Sequence, residues 1–399
     1  MTTCGLPDFL AMTPDLPPAA DPAERARGGG RDALAAALVA SRAHTLALLD
    51  AYVAALGTAL AVPYAEQLNP PLWEAGHLGW FQDYWIARNR QRSLGIDCDP
   101  DHARPRGRLA GADALYDSSR VAHASRWTLP LPDLAATRDY LAAGLDDTLR
   151  LLATAPDSDA GLYFYRLALF HEDMHAEAAV YMAQALDLGL PAALAPAPAR
   201  LPAVRPLTLA ACRFRRGHAG AGFAFDNELA AHTVAVAGFE IDSTVLSWRR
   251  YLPFVDATDA PPPRYLRRHG AGWQARRFGV WHALDLDQPA VHLDAQAAED
   301  WCRWAGRRLP TETEWELAAV TRPDFHWGAV WEWTADRFLP YPGFRAHPYR
   351  DYSAPWFGER RVLRGAGVAT SPRMAHPRYR NFFPPGRDDI HCGFRSCAP

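Results

Sequence analysis

The sequence predicts an α+β protein of two domains, a four-helix bundle followed by a domain of short strands, loops and few helices. Three observations carry this. The first half is rich in Ala and Leu, with apolar positions at helical spacing. A segment holding Pro191, Pro196, Pro198 and Pro202 cannot continue a helix and reads as a linker over residues 191–206. Beyond it, residues 207–399 carry short apolar runs among many Gly, Pro and Trp, the pattern of irregular backbone around a small sheet. At 399 residues and 49% hydrophobic composition, the chain has material for two cores.

Composition also narrows the function. A net charge of −3, without a basic run interleaved with aromatics, excludes nucleic acid as the expected partner. Apolar stretches are broken by Pro, Arg or Asp before spanning length, and Met1 to Leu10 lacks a charged n-region, so the expectation is a soluble, non-exported, cytoplasmic protein with no membrane partner. The six cysteines show no Cys-x-x-Cys pair, as expected of thiols in a reducing compartment.

Residues 1–30, with Pro17-Pro18, Asp21-Pro22 and three consecutive glycines from Gly28, read as a loosely ordered arm. The helical domain is expected over 31–190. Leu34, Leu38, Leu46 and Leu49 mark the stripe of a first helix starting near Asp32. Asn69-Pro70-Pro71 stops the chain and opens a second helix from Leu72 to about Arg92, since Pro suits the first helical turn. The stretch from Leu115 to Trp127 has no sustained period and reads as a long crossover. Asp133 caps a third helix through Tyr140, Leu141, Leu145 and Leu149, and the turn at 157–161 opens a fourth. In the second half, helices are expected near Val245 to Phe254 and Asp294 to Ala305.

The fourth helix carries Phe170-His171-Glu172-Asp173-Met174-His175-Ala176-Glu177. Residues four apart share a helix face, ~6 Å apart along the axis, so His171 and His175 form half of a metal site. By itself such a pair is more often a surface or capping pair. His77, among Trp73, Trp80 and Phe81, would alone be a packed core histidine, but bundles build metal sites from inward side chains on facing helices, so it is geometrically reasonable as a third ligand.

Several separated stretches then match one pattern: Phe225-Asp226-Asn227-Glu228, Trp301 through Glu316, Trp331-Glu332-Trp333-Thr334, Arg361 to Gly365 and Gly393-Phe394-Arg395. Residues 207–399 resemble the formylglycine-generating-enzyme domain, a variant of the C-type lectin fold. The first half resembles a DinB-type bundle. Pro70-Pro71-Leu72-Trp73-Glu74 with His77, and His171-x-x-x-His175-x-Glu177, are similar to the ergothioneine-type synthases, which join these two domains in this order.

The resemblance implies non-haem iron(II) held by His77, His171 and His175, with Glu177 behind the ligands and O2 as co-substrate. Three neutral imidazoles leave about three positions open on iron, where substrates can meet; zinc with three imidazoles and water also satisfies the residues. The resemblance further implies hercynine, the trimethylated histidine betaine, as substrate. It would be held by Asn381 at the carboxylate and by Phe382 and Phe383 facing the quaternary ammonium. Met174 stands where related enzymes carry Gln. Tyr341 is matched to the family's catalytic tyrosine, a proton or hydrogen-bond donor, with Tyr349 and Tyr352 as rivals.

The wording of Tyr116 to His123, with Arg126-Trp127 and the stretch around His171, resembles the selenoneine synthase branch most. That branch joins selenium from a selenosugar to the hercynine imidazole. The alternative donor is a thiol, cysteine or γ-glutamylcysteine, giving a sulfoxide, for which Arg120 and Arg126 are the candidate carboxylate partners. A formylglycine-generating oxidase is disfavoured because Ser371 and His376 precede Arg378-Tyr379-Arg380 where a copper-binding cysteine pair is expected. A non-catalytic ligand-binding module is the alternative of another class.

Overall fold

The computed structural model describes residues 21–399. Six helices build the first domain: α1 (Pro22–Gly28), α2 (Arg31–Leu56), α3 (Pro71–Gln82), α4 (Ala112–Tyr116), α5 (Leu134–Leu152) and α6 (Asp159–Ala185). Pro71 sits in the first turn of α3, where its missing N–H costs nothing. Asp133 caps α5 by accepting from the Ala136 N–H, and Ser158 caps α6 by accepting from Gly161. The long second helix ends earlier than its apolar content suggests: α3 gives way to a wide π turn at Asp83–Ala87.

α2 has the length and mean hydropathy of a membrane span, yet it lies in the bundle against α6. Its Arg42 is buried and forms a two-pronged ion pair with Glu172 of α6, at 2.7 and 3.1 Å. Such a pair suits a helix face packed on protein rather than lipid.

Residues 21–30 depart from the expected loose arm; residues 1–20 of that arm lie outside the described residues. Asp21 caps α1 through the Ala23 N–H, and Ala23, Ala26 and Arg27 are buried. Arg27 reaches into the second domain, where it pairs with fully buried Glu228 at 2.9 and 3.2 Å. An Asp-Pro opening is a capped helix start as much as a turn, and a buried partner 201 residues away decides between them.

The second domain carries β1 (Pro206–Leu209), β2 (Cys212–Arg216), β3 (His232–Val236), β4 (Phe239–Asp242), α7 (Trp248–Thr258), β5 (Leu266–His269), β6 (Gly272–Arg277), β7 (Val280–Ala283), α8 (Ala295–Trp304), α9 (Glu312–Thr321), β8 (Trp331–Arg337), β9 (Arg361–Gly365), β10 (Asn381–Phe383) and β11 (Cys392–Gly393). Its main sheet runs β10-β9-β8-β11, antiparallel except for the parallel β8–β11 pair; β5-β6-β7 is a separate meander. α7 and α8 fall near the expected positions. α9 was not anticipated: Thr311 and Glu314 close a reciprocal capping box at its start.

The linker segment is not slack, since Leu201 N–H donates to the Asp287 carbonyl and Gln288 reaches the Pro198 carbonyl. The two domains are pinned together around α6. Trp331 and Thr370 both donate to Glu177, Arg373 chelates buried Asp173 at 2.6 and 2.8 Å, and Tyr163 bonds His347 at 3.0 Å.

Candidate metal centre and substrate pocket

His77, His171 and His175 come together: one ring nitrogen from each lies within 4.8 Å of the other two. The Nε2 atoms of His77 and His171 are 3.2 Å apart. Second partners set the tautomers. His77 Nδ1 donates to the Tyr116 carbonyl at 2.8 Å, and His175 Nδ1 donates to Glu74. Nε2 of both rings is therefore left with a lone pair aimed at the common space. Three imidazole nitrogens thus converge on one space with Nδ1 of two rings already engaged, so the donor set fits a bound metal; in the metal-free protein a proton on His171 Nε2 can bridge to His77 Nε2.

Packing holds the rings. His77 stacks on Trp73 at 4.9 Å and 9°, and His171 stacks on Phe81 at 3.6 Å and 7°. The close approach of Tyr116 depends on Gly76, where a Cβ would meet the Tyr116 ring at 2.2 Å. Burial, reinforced by the neighbouring His175, pushes His77 down to about 3 and holds His171 well below the ordinary imidazole range. Both are neutral at physiological pH, as metal ligands must be.

Glu74 is the partner that sequence reasoning left without a role. Burial pushes its carboxyl up, but the charge of His175 and the hydrogen bond to it outweigh that, leaving it at about 2. Its other oxygen accepts from Asn69 Nδ2 at 2.5 Å, and Asn69 Oδ1 accepts from Arg126 at 2.8 Å. The available signal was spacing: Glu74 lies one turn before His77 on the same helix. Arg126, expected at a donor carboxylate, instead lies on Trp73 at 3.9 Å and ends this chain of bonds behind the histidine cluster. Arg120 is exposed and paired with Asp117 at 3.2 Å, so neither arginine lines the pocket.

A pocket of about 230 Å³ opens from His171 and His175 toward the second domain. Met174, Glu177 and Tyr181 of α6 form one side; Trp331, Tyr379, Asn381 and Phe383 form the other. Among the described residues, none that lines it is Lys or Arg. Glu177 touches neither ligand histidine through a hydrogen bond. It is a wall of the pocket, accepting from Trp331 Nε1 at 2.6 Å and Thr370 at 2.9 Å, and burial pushes it up to about 7 against those two bonds.

Two expectations are corrected. Phe382 and Phe383 do not face one ligand together: successive side chains of a strand point to opposite faces, so β10 sends Asn381 and Phe383 into the pocket. Phe382 goes the other way and stacks on Phe338 at 4.0 Å and 12°. Tyr341 is not at the pocket either. Its ring lies against the guanidiniums of Arg216 and Arg380, at 4.2 and 4.1 Å, and edge-on to His232. Two cations on one phenol ring are a favourable buried seat, and they hold it away from the histidines. Tyr349 and Tyr352 line the pocket instead. Tyr349 is edge-on to His171 at 6.2 Å, and Tyr352 shares a 2.9 Å bond with the Tyr379 hydroxyl, which also reaches the Met174 sulfur. Burial raises all three phenols above their ordinary range, so each stays protonated.

Comparison with known proteins agrees with this architecture. The DinB superfamily matches residues 37–184, and the sulfatase-modifying factor enzyme 1-like domain matches 198–329 and 324–398. A hercynine oxygenase of Mycolicibacterium smegmatis is 30% identical over 443 aligned positions, covering 92% of this chain and 98% of that one. The chain belongs to the hercynine oxygenase family. A second member, from Mycobacterium tuberculosis, is 29% identical over 91% of this chain and 97% of its own. The formylglycine-generating enzyme of Streptomyces coelicolor is 28% identical but aligns with only 48% of this chain, against 88% of its own length. The hercynine oxygenase alignments thus span both domains found here, with the histidine cluster in the bundle and half the pocket wall in the sheet domain.

Proposed function

We propose that this chain is an iron(II)- and O2-dependent synthase that joins the selenium of a selenosugar to the imidazole carbon of hercynine. The observation that carries the reading is one pocket that opens from His171 and His175, two of the three convergent imidazoles, and is lined by a carboxyl group and aromatic walls with no Lys or Arg among the described residues. His77, His171 and His175 would hold the iron, and the metal supplies oxidative chemistry with O2 at neutral pH.

The chain's own residues do the rest. Glu177, standing at about 7, is drawn toward its ionised form by an arriving trimethylammonium, and Trp331, Tyr379 and Phe383 offer it aromatic faces, each contributing roughly 0.5–2 kcal/mol. Asn381 uses its Oδ1 to accept from the Phe382 N–H at 2.9 Å, which leaves its Nδ2 free to donate to the substrate carboxylate. The Tyr349 hydroxyl, kept protonated by burial, is the proton or hydrogen-bond donor assigned earlier to Tyr341.

A γ-glutamylcysteine donor would bring two carboxylates and an ammonium, and the pocket's lining has no guanidinium or ammonium for them. A sugar needs neutral hydrogen-bond partners and aromatic or apolar faces, which Tyr349, Tyr352 and Phe383 supply. A selenol ionises more readily than a thiol and is a softer ligand, so more of it arrives as the anion. It stays reduced in the cytoplasm, the compartment this reading assigns to the enzyme. The test is a competition containing iron(II), O2, hercynine, a selenosugar and γ-glutamylcysteine, read by mass spectrometry. A carbon–selenium product is expected to dominate; sulfoxide with the selenosugar untouched would reject the selenium donor and leave the iron synthase standing.

A further inference from the structure

A second cavity, about 110 Å³, lies where the end of α6, the proline-rich linker and the β5-β6-β7 meander meet. It shares no lining residue with the metal pocket. α6 connects the two: Glu177 and Tyr181 face the metal pocket, Val180 and Gln184 this cavity.

Its walls hold polar atoms that the protein leaves unsatisfied. Tyr265 is only 4% exposed, and its hydroxyl has no partner. Nδ1 of His391 and Nε of Arg276 are likewise buried without one. An orphaned buried polar group forfeits its hydration without replacement, so three around one cavity point to an occupant. The Tyr hydroxyl and the Arg Nε can both donate, which favours a ligand rich in acceptors.

The charges give the ligand's sign. Arg276 is bound to Asp187 at 2.9 Å, and Asp285 is bound to Arg200 at 2.6 Å. Burial pushes His391 down to about 4 and holds His292 well below its ordinary value, so both are neutral. Arg277 also lines the cavity, half-buried, and its guanidinium has no ion pair or hydrogen bond among the described residues. One positive charge is left over.

We propose that this cavity is a second ligand site, for a compact oxyanion-bearing molecule held by Arg277, with Tyr265, Arg276 Nε and His391 completing its hydrogen bonds. A carboxylate and a phosphate share that chemistry. Isothermal calorimetry on the full-length, metal-loaded protein distinguishes them by separate titrations with acetate and with inorganic phosphate. Saturable binding of one anion is expected, weakened about tenfold or more in Arg277→Met and in Tyr265→Phe, the loss of one charge-assisted or neutral bond. Arg267→Met, whose guanidinium lies on Trp281 outside the cavity, should bind as the parent does. Metal content and melting temperature report that each variant is folded. No saturation by either anion at tens of millimolar, or binding indifferent to both cavity substitutions, means the cavity holds water only and overturns the proposal.

Discussion

Replacing Glu74 with Gln tests how the metal ligands are aimed. The bonds run in one direction: Arg126 donates to Asn69 Oδ1, Asn69 Nδ2 donates to Glu74, and Glu74 accepts from His175 Nδ1. Each group suits only that role, because a guanidinium only donates and a carboxylate only accepts. Gln brings an NH2. With its oxygen toward His175, its NH2 confronts that of Asn69; if Asn69 flips, two donors meet at Arg126 instead. One mismatch survives in either arrangement. The bond to a charged acceptor is worth about 1.5–3 kcal/mol, and roughly half disappears with the charge, while the mismatched donor adds about 1–3 kcal/mol. The share borne by His175 should weaken metal affinity by about 10- to 100-fold, the usual range for such outer partners. Anaerobic competition for iron(II) against a chromophoric chelator measures this, with urea unfolding of the metal-free protein as the control for folding. Affinity within about twofold of the parent would show that Glu74 does not orient His175, and the relay from Arg126 would have no function.

Other outcomes are equally definite. Tyr349→Phe should slow product formation by about 10²-fold or more while hercynine binding is kept, whereas Tyr341→Phe should change the rate little; the reverse pattern returns the role to Tyr341. Phe383→Ala should weaken hercynine binding by roughly 0.5–2 kcal/mol, read as a dissociation constant. Phe382→Ala should instead lower stability by about 1–3 kcal/mol, less than for a fully buried Phe because the ring is half-exposed, read by urea unfolding. His347 is buried, and burial, with Arg345 nearby, pushes it down to about 4. The unfolded chain binds that proton from about pH 6.5 downward, so the stability His347 supports is complete above 6.5 and is lost as pH falls toward 4. At pH 5 the loss is about 2 kcal/mol, and His347→Asn should flatten the unfolding midpoint between pH 7 and 5 by that amount.

The bundle was legible because periodicity and caps agree: Pro71, Asp133 and the turn before α6 mark helix starts that the structure keeps. The three histidines that converge in the bundle were legible as motif positions. What failed depended on direction rather than identity. Asn381, Phe382 and Phe383 were read as one stretch facing one ligand, but only the strand's alternation says which of them share a face. Tyr341 was misjudged because its seat is made by Arg216 and Arg380, residues distant in sequence whose cation–π contacts no local pattern announces. Arg126 looked like a substrate contact, since an arginine beside a tryptophan reads the same whether it faces a pocket or the rear of a metal site. α9 is barely amphipathic, burying three glutamates alongside Trp315 and Leu317, so no hydrophobic stripe revealed it; the Thr311–Glu314 box was its visible signal.

Glu177 sits on the bundle but is bound by Trp331 and Thr370 of the other domain, and the aromatic walls opposite it are likewise contributed from there. The bundle alone could take up metal, yet it would possess only half a substrate pocket. Substrate affinity and domain docking are then one equilibrium viewed from two ends. A ligand bridging both halves at a hundred times its dissociation constant adds about 2.7 kcal/mol to their association. Substrate supply would thereby govern how long the joined form outlives proteolysis, making the enzyme's lifetime, and not only its turnover, a function of the metabolite it consumes.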